Sequence, residues 1–387
     1  MCKLKVPFYK TYALYFFIVL LILTGVAINL TVGDNGLFRR AQNAADTWQM
    51  AEQNEQSEMD KAADFLERYE NGNKSLNSVT GEEITNSIVY DKYGNKVVVP
   101  AGFKVINPED DVTNGIVIED VSAEGATENT KGSQFVWIPV GNVYIDEKQN
   151  YEIVTLGRYK FDRITGKGTL IQSASQWNNI SDNVSINLYK EYPNSDEGNV
   201  SAKNLEKFIT KTIENKGYYV GRFEAGDEEA SEYNTVEYGD SLVVKQGVWT
   251  YVYVTQSQAA ELSRNMYNSN SFESDLINSY AWDTAIVYIQ KFSGDEDYSI
   301  QNRIQTTLAK SGTATDGNNN DLRCNIYDLA GNVKEWSTET YVDEGNNPCT
   351  LRGGWYYEDY YYVNSRNYVD TQYENSGTSF RVILYLP

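Results

Sequence analysis

The sequence predicts an α+β domain carried behind an N-terminal membrane helix. Three observations lead there. Short β-type runs separated by turn residues begin near residue 87, three later segments have a helical period, and residues 12–30 form an uncharged apolar run. Strands and helices intermix without the strand–helix–strand regularity of a parallel sheet, which favours α+β over α/β. No internal repeat of fixed period is present.

The apolar run comes first. At about 1.5 Å per residue a helix over 12–30 reaches across the hydrocarbon layer of a bilayer. Lys3, Lys5 and Lys10 precede it, while Arg39 and Arg40 follow with Asp34 nearby. That bias places residues 1–11 in the cytoplasm and the rest of the chain outside. Residues 31–71, rich in Ala, Glu, Gln and Met, carry Leu37, Ala41, Ala44, Ala45, Trp48 and Ala51 at helical spacing and read as an extracytoplasmic amphipathic helix. Asn71-Gly72-Asn73 ends it, and 72–85 read as a polar linker.

The domain is expected over 86–387. Ser87–Tyr90 and Lys96–Pro100 flank Tyr93-Gly94-Asn95 and read as a hairpin. Gly115–Glu119 and Gln134–Val140 read as further strands. Helices are expected over 201–215, over Gln256–Met266 with Thr255 as N-cap, and over Ser274–Phe292, where Trp282, Ala285, Ile286 and Ile289 share one face.

Composition narrows the function. The 33 Lys plus Arg stand against 54 Asp plus Glu, for a net charge of -21, which repels nucleic acid. The chain has no histidine, so serine triads and His-ligated zinc or iron are excluded in their usual forms. Cys324 and Cys349 lie beyond the span and either form a disulfide outside the cell or remain buried free thiols. Paired carboxylates arise by chance among so many acids and point to no particular acid–base chemistry.

The chain contains 31 Tyr against 13 Phe, and the tyrosines crowd near the C-terminus. Between 355 and 373 stand Trp355, Tyr356, Tyr357, Asp359, Tyr360, Tyr361, Tyr362, Asn364, Asn367, Tyr368, Asp370 and Tyr373. Rigid amphipathic rings interleaved with small polar residues are the composition of adaptable binding surfaces. So many hydroxyls would each need a partner in a core. The segment therefore reads as a ligand-binding face for a protein or glycan.

Several motifs carry resemblances. The Leu23–Phe38 stretch resembles the pilin-like N-terminal anchor of Gram-positive surface proteins, although 12–30 lack the Glu that pilins place in the mature helix. Val99-Pro100-Ala101-Gly102-Phe103, Phe135–Val140, Tyr218–Gly226, Asn325–Trp336, Leu351–Trp355 and Ser379–Val382 follow one another in the order of a formylglycine-generating-enzyme-type domain. The stretch Asn325–Trp336 is similar to that family's N-x-Y-D-L-x-G-N-V-W-E-W signature, with Lys334 at its first Trp. The resemblance implies a C-type-lectin-like fold. It does not carry the family's chemistry across: residues 353–387 hold no cysteine pair for copper, and no histidine exists to ligate iron. It implies calcium at Asn332 and Glu335, whose oxygens are of the hard type calcium takes. Gly331-Asn332 suits a turn with positive φ, Gly353-Gly354 a close backbone approach, Trp336 and Trp355 core anchors, and Arg381 an internal carboxylate pair. The Tyr-rich segment also resembles the variable region of diversity-generating-retroelement target proteins, which use this fold. The expected function is a non-catalytic, surface-displayed binder, with a divergent oxidoreductase and a minor pilin-like subunit as alternatives.

Overall fold

The computed structural model describes residues 59, 61–126, 128–173, 189–191, 199–232, 242–302, 307–313, 321–342, 347–358 and 360–386. The chain divides into two compact units, Met1–Gly72 and Asn73–Pro387. In the first, residues 61–70 are helical, and the Asn71 N–H closes the last turn on the Glu67 carbonyl at 2.9 Å. The expected span at 12–30 and most of the helix at 31–71 lie outside the described residues. Among the described residues no helix is long and apolar enough to cross a membrane.

The second unit is a mixed α+β domain. It begins earlier than the expected residue 86: Leu76 and Val79 are buried in its core, and Thr80 bridges to Lys104, so 73–85 pack as part of the domain. Leu76 and Val79 hold this polar segment down, while Ile84 stays exposed. The hairpin forms as the turn residues dictate, with Ser87–Tyr90 antiparallel to Lys96–Val99.

The core is a six-stranded antiparallel sheet. Its order is Glu273–Leu276, Val382–Tyr385, Gly217–Gly221, Gln134–Pro139, Val117–Asp120 and Phe103–Val105. Its central strands are buried on both faces, which is why they read as continuous apolar runs. Successive residues point to opposite sides. Tyr218 meets the Phe208 ring at 5.4 Å and donates to the Ala281 carbonyl, while Tyr219 meets Trp137 at 4.9 Å and donates to the Val98 carbonyl.

Among the described residues, three α-helices pack on this frame. Leu205–Asn215 is capped by Asn204, and Gln256–Asn265 by a Thr255–Gln258 capping box. The third departs from expectation. Ser274–Leu276 belongs to an edge strand, and the helix runs from Ser279 to Phe292 with Asn278 as N-cap. Asn278 offers the Ala281 N–H a side-chain acceptor, while the preceding residues pair with the C-terminal strand. Burial around this helix is also wider than one face: Tyr280, Asp283, Thr284 and Tyr288 are buried with the apolar set.

A second sheet carries the C-terminal motifs. Tyr189–Lys190, Lys334–Tyr341, Cys349–Arg352 and Arg366–Val369 run antiparallel in that order, and Thr378–Phe380 pairs in parallel with Lys334–Tyr341. Residue 381 joins this sheet to the central one. Gly353-Gly354 leaves it over the 329–331 turn, where a Cβ on Gly354 would lie 2.1 Å from the Ala330 carbonyl oxygen. Backbone cannot give way there as a side-chain end could, so Gly354→Ala is expected to cost roughly 3 kcal/mol or more in urea unfolding. A loss below about 1 kcal/mol would show that this turn is loosely packed.

Candidate ligand-binding face

The Tyr-rich segment is a loop on charged stems. Arg352 and Arg366 are register partners on neighbouring strands, and the chain between them forms the loop. Both guanidiniums reach the same two carboxylates. Arg352 contacts Asp283 at 2.5 Å and Glu339 at 3.2 Å; Arg366 contacts Asp283 at 2.6 Å and Glu339 at 3.0 Å. Arg158 pairs with Glu339 as well. Burial alone would raise the Glu339 carboxyl, but Arg366, Arg158 and Arg352 together hold it down at about 2. This cluster ties the loop's feet to the Ser279–Phe292 helix.

The loop backbone is pinned between its feet as well. The Tyr356 N–H donates to the Asn332 carbonyl at 3.0 Å, Val363 N–H to Gln301 at 3.1 Å, and Asn364 N–H to Ser299 at 2.9 Å. Trp282 donates its indole N–H to the Val363 carbonyl, and Val363 is fully buried. Rings nevertheless stay in water: Tyr357 is 69% exposed, Tyr360 57%, Tyr368 48% and Tyr362 39%.

The structure sorts the sequence-derived residues. Trp355, Tyr356, Tyr357 and Tyr361 come together, with Trp355 5.8, 5.7 and 6.0 Å from the other three ring centroids. Tyr360 lies 4.6 Å from Tyr361. Tyr368 belongs to another group, stacked on Tyr341 at 4.1 Å, with Tyr189 on the far side of Tyr341 at 5.0 Å. Tyr373 packs edge-on against the buried Trp336 and belongs to the frame. Asn364 and Asn367 are half-buried and Asp370 is exposed, closing a turn onto the Gln372 N–H. Asp359 lies outside the described residues. Trp355 is only half-buried, unlike Trp336, so it is a wall of the face and not a core anchor.

The calcium candidates Asn332 and Glu335 have protein partners in this structure. Arg381 takes both Glu335 oxygens, with Nη2 at 2.6 Å and Nε at 3.0 Å. The Asn332 amide donates to Glu224 at 2.6 Å and its oxygen accepts from the Ala309 N–H. The oxygens of both side chains accept hydrogen bonds from within the frame. Among the described residues no group of three acidic or sulfur ligands could hold a metal. Asn332, and not Gly331, takes the positive φ of the turn, at 59°.

Around Arg381 the acids outnumber the bases. Burial, reinforced by Asp328 and Glu335, pushes the Glu224 carboxyl well up, and burial with Asp321 pushes Asp328 up to about 8. Cys324 and Cys349 are free thiols, both pushed up to about 12, with burial the main cause. Of the two open readings, the structure has the thiols unpaired.

Sequence reasoning missed Lys334, Tyr341 and Tyr189. Lys334 lies against the aromatic cluster, its Nζ 4.3 Å from the Trp355 centroid and 4.6 Å from that of Tyr361. A lysine where the family signature has Trp was the available signal. Tyr341 and Tyr189 reach the face only through strand pairing across the sheet, for which the sequence holds no local sign.

No family model matches the chain, and no curated protein matches it. Among solved structures it is similar to Treponema denticola variable protein 1, at 12% identity and a TM-score of 0.34 over 66% of this chain and 96% of that one. It is similar to a Major Tropism Determinant P3c variant, at 9% identity and a TM-score of 0.30 over 81% and 86% of the two chains. A structure titled as that of CarF matches at 13% identity and a TM-score of 0.32 over 44% and 87%.

Proposed function

We propose that this chain is a non-catalytic ligand-binding protein of the variable type, with a C-type-lectin-like, formylglycine-generating-enzyme-type domain held outside the membrane by residues 12–30. The observation that carries this reading is the combination at the loop: a backbone fixed by buried partners and tyrosine rings left in water. Such rings supply contact area at little entropic cost, because their backbone is already ordered. Catalysis by the cysteines is disfavoured by protonation, since thiols raised to about 12 hold almost no thiolate at neutral pH.

The test is genetic. In DNA flanking the gene, sampled across a host population, we expect a reverse-transcriptase gene and a near-copy repeat that differs at adenines mapping to 355–373. An invariant segment with neither feature would end the diversification reading. A biochemical counterpart concerns tolerance. Replacing Tyr357, Tyr360 and Tyr362 together by Ser should change unfolding free energy by less than about 1 kcal/mol, as for surface positions. A large loss would make these rings part of the frame and leave no free face to bind with.

A further inference from the structure

One charged group at this face has no partner in the frame. The Lys334 residue is 4% exposed, yet its ammonium makes no hydrogen bond or ion pair among the described residues. Among the described residues the other deeply buried cations are matched: Arg158 to Glu339, Arg352 and Arg366 to both Asp283 and Glu339, and Arg381 to Glu335. Lys334 has ring faces instead, from Trp355 and Tyr361. Two rings attract a cation but leave its directed N–H donors without the oxygen acceptors they prefer. The nitrogen itself keeps a small accessible area, so a ligand oxygen can reach the place that no protein oxygen fills.

The surroundings fit an incoming anion. The Lys334 backbone is fixed, its N–H bonded to the Gly377 carbonyl at 2.9 Å. Both walls belong to the loop whose neighbouring Tyr357 and Tyr360 rings are exposed. Glu358 is the acid whose field reaches the ammonium, and no ion pair joins them. We infer that Lys334 anchors an anion subsite in the floor of this face and takes a carboxylate group from the ligand. The inference rests on the 355–373 segment being the ligand-binding face. A carboxylate is favoured over a phosphate because one ammonium neutralises one charge. The second charge of a phosphate would face Glu358 and a chain of net charge -21.

The probes are benzoate and its uncharged analogue benzamide. The full chain in detergent is treated with acetic anhydride, and acetylation of each lysine is followed by peptide mass spectrometry. Benzoate is expected to slow acetylation of Lys334 saturably, about fivefold at roughly 20 mM for a dissociation constant of roughly 5 mM. Benzamide should not slow it, and the exposed Lys92 should react equally in both. Equal protection by benzamide would mean apolar shielding alone and overturn the subsite, as would no protection by either. A Lys334 that the reagent never reaches is out of reach of a ligand carboxylate too, and sinks the idea equally. A variant adds a second arm: benzoate should quench tryptophan fluorescence in the natural protein and in Lys334→Arg, but not in Lys334→Met. Retained quenching in Lys334→Met counts against the subsite. Because benzoate needs no knowledge of the natural ligand, the subsite can fail while the tyrosine face stands. Rings shown to be part of the frame would instead remove the face, whatever benzoate does.

Discussion

Glu339→Gln is expected to be the most damaging single substitution in the domain, lowering unfolding free energy by about 3–5 kcal/mol. Glu339 is fully buried and is contacted by three guanidiniums, those of Arg158, Arg352 and Arg366. The amide keeps the shape but loses the charge, which among the described residues leaves Asp283 as the only acid in contact with Arg352 and Arg366. Arg158 keeps a hydrogen bond to the Tyr189 carbonyl and loses its carboxylate. The loop stems rest on these contacts, so the damage should spread outward. Hydrogen exchange should show the 355–365 backbone losing protection before the central sheet does. A variant that melts within about 1 kcal/mol of the natural protein would mean that the cluster is close to neutral in net stability.

Asp328→Asn is expected to stabilise, and only at higher pH. Asp328 sits beneath the 328–333 turn with φ 64°, a conformation that Asn accepts as readily as Asp. One carboxyl oxygen accepts from the Gly312 N–H at 2.7 Å; the other is buried without a partner. Burial comes first among the causes that raise its pKa to about 8, with Asp321 next and Glu335 adding to them; Gly312 and Arg381 oppose. The folded state therefore keeps this proton between about pH 4 and pH 8, whereas the unfolded chain has released it. In that window the folded state binds more protons, so stability falls as pH rises and levels off above about 8. The slope reaches roughly 1.4 kcal/mol per pH unit at its steepest. Glu224, raised in the same direction, adds to the fall. Glu339, held near 2, acts oppositely, and its contribution is lost only as the pH drops below about 4. Asn is neutral throughout. Thermal melts should show the natural protein losing stability from pH 5 to pH 8 and the variant losing clearly less, with a melting temperature at pH 8 higher by about 3 °C or more. Parallel profiles would show that Asp328 is ionised in the folded state.

What the sequence disclosed follows the range of the interaction. The Ser87–Val99 hairpin and the Thr255 cap were legible because turn chemistry and capping act over a few residues. The 274–278 stretch was misread as the start of a helix, because the pairing of Ser274–Leu276 with Val382–Leu384 is remote in the chain. The arginine cluster was invisible for the same reason: Arg158 and Glu339 are 181 residues apart. At the face, composition located the segment but could not rank its members. Trp355 and Tyr373 look like their neighbours in sequence, and only packing separates wall from frame. Asn332 and Glu335 were read as ion ligands because a motif shows which oxygens are present, not that the Ala309 N–H and the Arg381 guanidinium bond to them.

The placement of Val382–Tyr385 has a consequence for how the chain comes to be folded. This strand lies between Gly217–Gly221 and Glu273–Leu276, and the preceding Thr378–Phe380 strand completes the other sheet. The central sheet cannot close until residue 385 has left the ribosome, and the second sheet waits for residue 380. Until then the Gly217–Gly221 edge and the Lys334–Tyr341 strand each wait for a partner, so the two sheets are completed together, late in synthesis.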